Sequence, residues 1–403
     1  MSLISKLAGL PVAVKQYLVI TGNYWAFTLT DGALRMLVVL YFHQLGYTPI
    51  AIAMLFLFYE FFGVVTNLIG GWLGARIGLN KTMHIGLYMQ VVALAMLTLP
   101  SEYLTVAWVM LAQALSGIAK DLNKMSAKSS IKTLVPKEQQ SSLFRWVALL
   151  TGSKNTLKGV GFFIGAMLLA VLGFQFSLIA MASALLVVAL LSSVLLKQDI
   201  GKAKNKPKFK EIFSKNAALN YLSAARMFLF AARDVWFVIA VPVYLSQQLG
   251  WQHEFVGGFM AVWIIGYGIV QSITPKMLLV AKQKTSASSI ANWAIVLAVF
   301  TAILSVSQYY FADVSAIVVL GLLIFGVVFA INSSLHSYAI IALAKEDGVS
   351  MDVGFYYMAN ALGRLFGTIL SGWLFQVYGL AACLLIAAIL AACSAFFIRK
   401  VNI

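Results

Sequence analysis

The sequence predicts an all-α membrane protein of twelve transmembrane helices in two six-helix halves. Composition is the first observation behind this. Of 403 residues, 62% are hydrophobic and only 10% charged, against roughly 25% charged in soluble domains. The second is a run of twelve apolar segments, each long enough at ~20 residues to cross a bilayer. The third is charge alternation, since basic residues fall in every second loop.

The segments are 17–42, 49–73, 82–99, 104–134, 141–172, 174–196, 218–245, 254–276, 288–308, 314–344, 353–378 and 380–398. One set of loops holds Lys6 and Lys15, Arg76 and Lys81, Lys137 and Arg145, the run 197–215, Lys282 and Lys284, Lys345, and Arg399 with Lys400. The other set (HQLGYTP, PSEY, GFQF, SQQLGWQHE, QYYFADV and VYGL) has no Lys or Arg. The positive-inside rule places the first set, and with it both termini, in the cytoplasm. Residues 1–15 have no long apolar core, so no cleaved signal is expected. The basic run KQDIGKAKNKPKFKEIFSK reads as a cytoplasmic linker, 197–217, touching anionic lipid and joining an N-terminal half, 1–196, to a C-terminal half, 218–403.

An internal repeat supports two like halves. Lys158, Gly161 and Gly173 align with Arg364, Gly367 and Gly379 at a constant offset of 206. Segments one and seven are followed alike by HQLGY and QQLGW. Parallel six-helix repeats resemble the plan of major facilitator transporters. Between segments two and three, Gly71, Arg76, Gly78 and Lys81 resemble that family's loop signature, but Ala75 stands where the family has an acid. The tight turn is expected to survive through its glycines. The charge latch is not.

Charges at membrane depth are the candidate functional groups. Segment four runs into KDLNKMSAKSSIK, with Lys120, Lys124 and Lys128 at i, i+4, i+8 beside Asp121 and Asn123. Either the helix ends near Ala119 and the lysines are loop, or they line a polar path. Asp31 and Arg35 are spaced i, i+4, as an ion pair fixing the helix or as a protonatable acid beside an anion-binding guanidinium. Glu60 has no basic neighbour in sequence, and reads as a proton carrier or as a neutral Glu bonded to another helix. Lys154 and Lys158 share a face, as do Arg226 and Arg233, with Asp234 adjacent, and Arg364 lies in segment eleven. His336 reads as a hydrogen-bonded packing residue.

These cations outnumber the acids Asp31, Glu60, Asp121 and Asp234. Each uncompensated charge in the core costs at least ~2.5 kcal/mol, and a polyanionic substrate would supply the balance. Phosphate-like groups suit Arg forks and Lys point charges. The substrate-binding candidates are therefore Arg35, Lys120, Asn123, Lys124, Lys128, Lys154, Lys158, Arg226, Arg233 and Arg364. The protonatable candidates are Asp31, Glu60, Asp121 and Asp234. No P-loop, zinc motif or nucleophile elbow is present, so neither an enzyme nor a resident metal or cofactor is expected. A drug or cation exporter would show acids dominating instead. A nucleic-acid role for the linker is disfavoured. Cys383 and Cys393, ~15 Å apart along a helix, are too distant for a disulfide.

Several stretches carry a more specific resemblance: GNYWAFTLTDGALRMLVVLYFHQLGYTP, LFYEFFGVVTNLIGGWLGAR, ALSGIAKDLNKMSAKSSIK, LTGSKNTLKG and ARDVWFVIAVPVYL. They resemble the ArsJ organoarsenical efflux permeases of the bacterial inner membrane. The resemblance implies export of 1-arseno-3-phosphoglycerate, made by a companion glyceraldehyde-3-phosphate dehydrogenase from arsenate. Proton-coupled alternating access, by way of the protonatable acids, and a monomeric carrier are expected besides. The alternative is a transporter of another organic anion, such as a sugar phosphate.

Overall fold

A computed structural model describes residues 12–47, 55–134, 140–196, 200–204, 208, 216–237, 239–251, 253–280, 286–311 and 314–401. Helices account for nearly all of them. α1 is Val12–Gln44, α2 Leu57–Ile77, α3 Leu79–Met96 and α4 Val106–Leu134. The long helix Gln140–Leu195 is broken at Gly173, whose φ of 71° and ψ of 178° no helix tolerates, giving α5 (140–172) and α6 (174–195). α7 is Ala217–Phe237, prolonged by the short helix Ala240–Gln247. α8 is His253–Val280, α9 Ala287–Tyr310 and α10 Ser315–Leu343. Val349–Ile398 is broken at Gly379, φ 76°, into α11 (349–378) and α12 (380–398). Twelve crossing segments result among the described residues. Only glycine adopts these backbone angles without strain, so the repeated pair Gly173 and Gly379 sets the tight connections.

By length and composition alone, seven described stretches are apolar enough to span a membrane, and two of these, 53 and 50 residues long, are long enough for two crossings. α2, α3 and α4 are missing from that set. α2 carries Glu60 and Arg76, α3 starts with the polar residues Asn80, Lys81 and His84, and α4 carries its lysines. α4 is helical through Leu134, so Lys120, Lys124 and Lys128 are helical residues, not loop.

The residues form two compact units. The first comprises 1–146, 157–213 and 344–354; the second comprises 147–156, 214–343 and 355–403. Of the linker expected at 197–217, most lies outside the described residues, as do Lys6, Lys137, Lys282 and Lys284 of the basic loops. The described part docks on the α2–α3 turn. Leu79 N donates to Ile200 O at 2.9 Å and Ala203 N to Ala75 O at 2.8 Å. The turn survives as expected, through Gly78 at φ 106°.

Small residues set the helix approaches, as lipid supplies no hydrophobic drive between helices. In the first unit, a Cβ on Gly161 of α5 would meet Leu29 O of α1 at 2.7 Å, and one on Gly117 of α4 would meet Tyr59 O of α2 at 2.6 Å. In the second, a Cβ on Gly367 of α11 would meet Ala231 O of α7 at 2.8 Å. An aromatic cluster of Trp236, Trp263, Phe325 and Phe329 fills the core of that unit.

Candidate functional site

Each unit holds a buried cluster of charges, built where a glycine lets two helices touch. In the first unit, the α1–α5 contact at Gly161 brings Lys158, three residues earlier, to Asp31: Nζ lies 3.7 Å from Oδ2. The other carboxylate oxygen accepts from Tyr59 Oη at 2.6 Å. Lys120 of α4 stands over the Tyr59 ring, 3.7 Å from its centroid. Arg35 pairs with Glu60 at 3.1 Å and also lies over the Tyr59 ring at 4.9 Å. Asp31, Glu60, Arg35, Lys120 and Lys158 therefore converge around one tyrosine.

The structure bears on both pairs of alternatives. Glu60 is bonded to another helix, through Arg35 of α1, and Asp31 takes its ion pair from Lys158 of α5. Their i, i+4 spacing puts Asp31 and Arg35 on one face, but α5 and α2 offer closer counter-ions to each.

Further along α4, Lys124 pairs with Asp121 at 2.5 Å. Asp121 is buried against α2, where its Oδ2 would be 3.0 Å from a Cβ on Gly63, and that oxygen has no hydrogen-bond partner among the described residues. Lys128 is also buried. Asn123 does not join the lysines. Its amide donates to Ala119 O at 3.0 Å and packs on Gly86 of α3.

The second unit repeats the arrangement. The α7–α11 contact at Gly367 brings Arg364, again three residues earlier, to Asp234, with Nε 3.2 Å from Oδ2. Arg233 holds the other oxygen of Asp234. Asp234 is wholly buried between two guanidiniums. The pairs Asp31–Lys158 and Asp234–Arg364 thus occupy equivalent helices, the first and fifth of each half.

Arg226 is held differently. Its guanidinium donates to Asn360 Oδ1 at 2.8 Å and to Ser333 O and Oγ at 3.1 Å, and stands 4.0 Å over the Phe230 ring. Ser333 continues a buried polar chain. Tyr267 Oη lies 2.9 Å from Ser333 Oγ, Gln271 Nε2 donates to both, and Asn155 Nδ2 donates to Gln271 Oε1 at 2.6 Å. Lys154, half-buried on α5, belongs to this unit and not with Lys158. His336 is fully buried, with neither ring nitrogen hydrogen-bonded among the described residues, which corrects the expectation of a bonded packing residue.

Sequence reasoning missed Tyr59, Tyr267, Gln271, Asn155 and Ser333, whose residue types are common in apolar helices. The one available signal was Tyr267 and Gln271 at i, i+4 within the apolar α8.

Buried, partly compensated charges on helices of two six-helix halves define a multi-pass membrane carrier. The chain belongs to the major facilitator superfamily, whose family model matches residues 20–340. It is a secondary transporter, not an enzyme. The human organic anion transporter MFSD10 (TETRAN) has a similar structure, with TM-score 0.73, 14% identity, and 96% of this chain and 98% of that chain covered. The Escherichia coli fucose:proton symporter FucP aligns with TM-score 0.74 and 12% identity over 98% of this chain and 100% of that chain. A bacterial homologue of the iron transporter ferroportin, outward-facing, aligns with TM-score 0.74 and 13% identity over 97% and 99%. At these identities the likeness shows the fold alone. The sequence matches no curated protein.

Proposed function

We propose that the protein exports a small organic anion with phosphate-type groups across the bacterial inner membrane, and that this anion is 1-arseno-3-phosphoglycerate. The carrying observation is the charge imbalance in both units. Among the described residues at membrane depth, the first unit carries the cations Arg35, Lys120, Lys124, Lys128 and Lys158 and the acids Asp31, Glu60 and Asp121. The second carries the cations Lys154, Arg226, Arg233 and Arg364 and the acid Asp234. Intramembrane cations in excess call for an anionic ligand. The arsenical itself rests on the resemblance of the quoted stretches to the ArsJ permeases, as does the partner dehydrogenase.

In the first unit the candidates for anion contact are Lys120, Lys124 and Lys158, and in the second Arg233 with Arg226 or Arg364. Asp31 then competes with the substrate for Lys158, and Asp234 for Arg364. A proton on either acid releases its cation to an oxyanion, so proton binding and anion binding would be coupled. Outward drive comes from the membrane potential, worth about 2.3 kcal/mol per charge per 100 mV. Both termini would be cytoplasmic, by the basic loops.

The test is uptake into everted vesicles of arsenate premixed with the dehydrogenase and its substrate, against arsenate alone. Uptake only of the premix supports the reading. Equal uptake of a sugar phosphate in place of the premix favours the broader organic-anion carrier. Lys124→Ala and Arg233→Ala should insert stably yet fail to confer arsenate resistance beside the dehydrogenase. Normal resistance in both removes the proposed anion contacts.

A further inference from the structure

We infer that the first unit carries a binding groove for an anionic phospholipid, apart from the transport clusters. The groove has a volume of about 920 Å³ and is lined by Arg76, Lys81, Lys202, His84 and an apolar wall from α3 and α4. That volume lies within the range of small-ligand pockets.

Its charges and its grease are segregated along α3. Lys81 stands in the first turn, beside Arg76 at the end of α2 and Lys202 of the linker. Deeper along the same helix face come Ile85, Tyr88, Met89 and Val92, joined by Leu115 of α4. Ile85, Tyr88 and Val92 are exposed, which in a membrane helix means they face lipid. From Lys81 to Val92 the helix rises about 16 Å. One leaflet of the hydrocarbon core is about 15 Å deep. The groove therefore holds cations at headgroup level and an apolar channel one acyl chain deep.

The mouth is built rather than incidental. Arg76 is steadied over the Trp72 ring at 5.2 Å. Lys202 is carried by a segment pinned on both sides, through Leu79 N to Ile200 O and Ala203 N to Ala75 O. Tyr88 Oη meets Ser193 Oγ at 3.1 Å and His84 Nε2 meets Ser192 Oγ at 2.9 Å, tying α3 to α6 behind the groove. No lining side chain is a carboxylate. Ala75 stands in the last turn of α2, so that position offers no acid to compete with a phosphate. Three cations, a polar rim and a leaflet-length apolar wall complement a phosphodiester with attached acyl chains. A neutral headgroup brings no net charge to the cations, and a free phosphate leaves the wall uncovered.

Full-length protein purified in neutral detergent would be titrated with phosphatidylglycerol, phosphatidylcholine or glycerol phosphate, and bound lipid counted by native mass spectrometry. We expect retention of phosphatidylglycerol over phosphatidylcholine, with no displacement by millimolar glycerol phosphate. Arg76→Gln and Lys202→Gln should each weaken retention roughly fivefold, and Lys400→Gln, on an exposed residue far along the chain from the groove, should not. Met89→Trp should abolish retention with every cation in place, by filling the apolar wall. Lys202→Gln lies outside every helix, so it remains informative should a helix variant fail to insert. Equal retention of both lipids, full displacement by glycerol phosphate, or an equal loss in Lys400→Gln overturns the assignment.

Discussion

Lys158 offers a test that separates a structural ion pair from a substrate contact. At 3.7 Å from Asp31, its charge is worth about 4 kcal/mol at an effective dielectric near 20. Lys158→Ala leaves a buried carboxylate whose uncompensated charge ordinarily costs about 3–5 kcal/mol. Tyr59 still donates to Asp31, and Lys120 and Arg35 also act on it, so the lower end, about 3 kcal/mol, is expected. Asp31→Asn strands Lys158 instead, but that side chain retains 19% exposure and can reach water, so about 1–2 kcal/mol is expected. The double variant removes both charges and should lie near the milder single, a coupling of at least about 1 kcal/mol. The assay is unfolding of purified protein in detergent, beside transport into everted vesicles. Stability should recover in the double variant while transport stays lost, because the anion has lost a cation. Additive destabilisation would refute the pairing. Restored transport in the double variant would show that Lys158 serves folding alone.

The remaining expectations follow from the same geometry. Gly161→Ala and Gly367→Ala each place a methyl within 2.8 Å of a backbone carbonyl on the neighbouring helix and should destabilise by about 1–3 kcal/mol; a wild-type unfolding midpoint in either would contradict the helix contact. Arg226→Lys keeps the charge but cannot reach Asn360 and both Ser333 oxygens together, so a loss of about 2–4 kcal/mol is expected from hydrogen bonds to a charged group, and a stable, fully active variant counts against that role. Asp31→Asn mimics the protonated acid, so transport at saturating substrate should lose its pH dependence; an unchanged pH profile in both Asp31→Asn and Glu60→Gln moves coupling to Asp121 or Asp234.

The helical plan was legible because it is local. Each apolar run states its own length, and Gly173 and Gly379 announce their breaks at a shared offset, since no other residue takes those angles without strain. The presence of charge at depth was equally legible, because twelve helices leave such residues nowhere else to stand. The end of α4 was not. Lys120, Lys124 and Lys128 keep helical spacing, yet the sequence also allows the helix to end near Ala119; the structure carries it through Leu134.

The sequence by itself determined which residues share a helix face; the tertiary structure alone decided what that face meets. Asp31 and Arg35 are ideally spaced for each other, yet they pair with Lys158 and Glu60. The reason lies in backbone approach. Where a glycine lets a carbonyl of one helix come within van der Waals reach of the next, a side chain one turn away arrives with it. At membrane depth, the nearest counter-ion then outweighs the preference of two residues on the same helix.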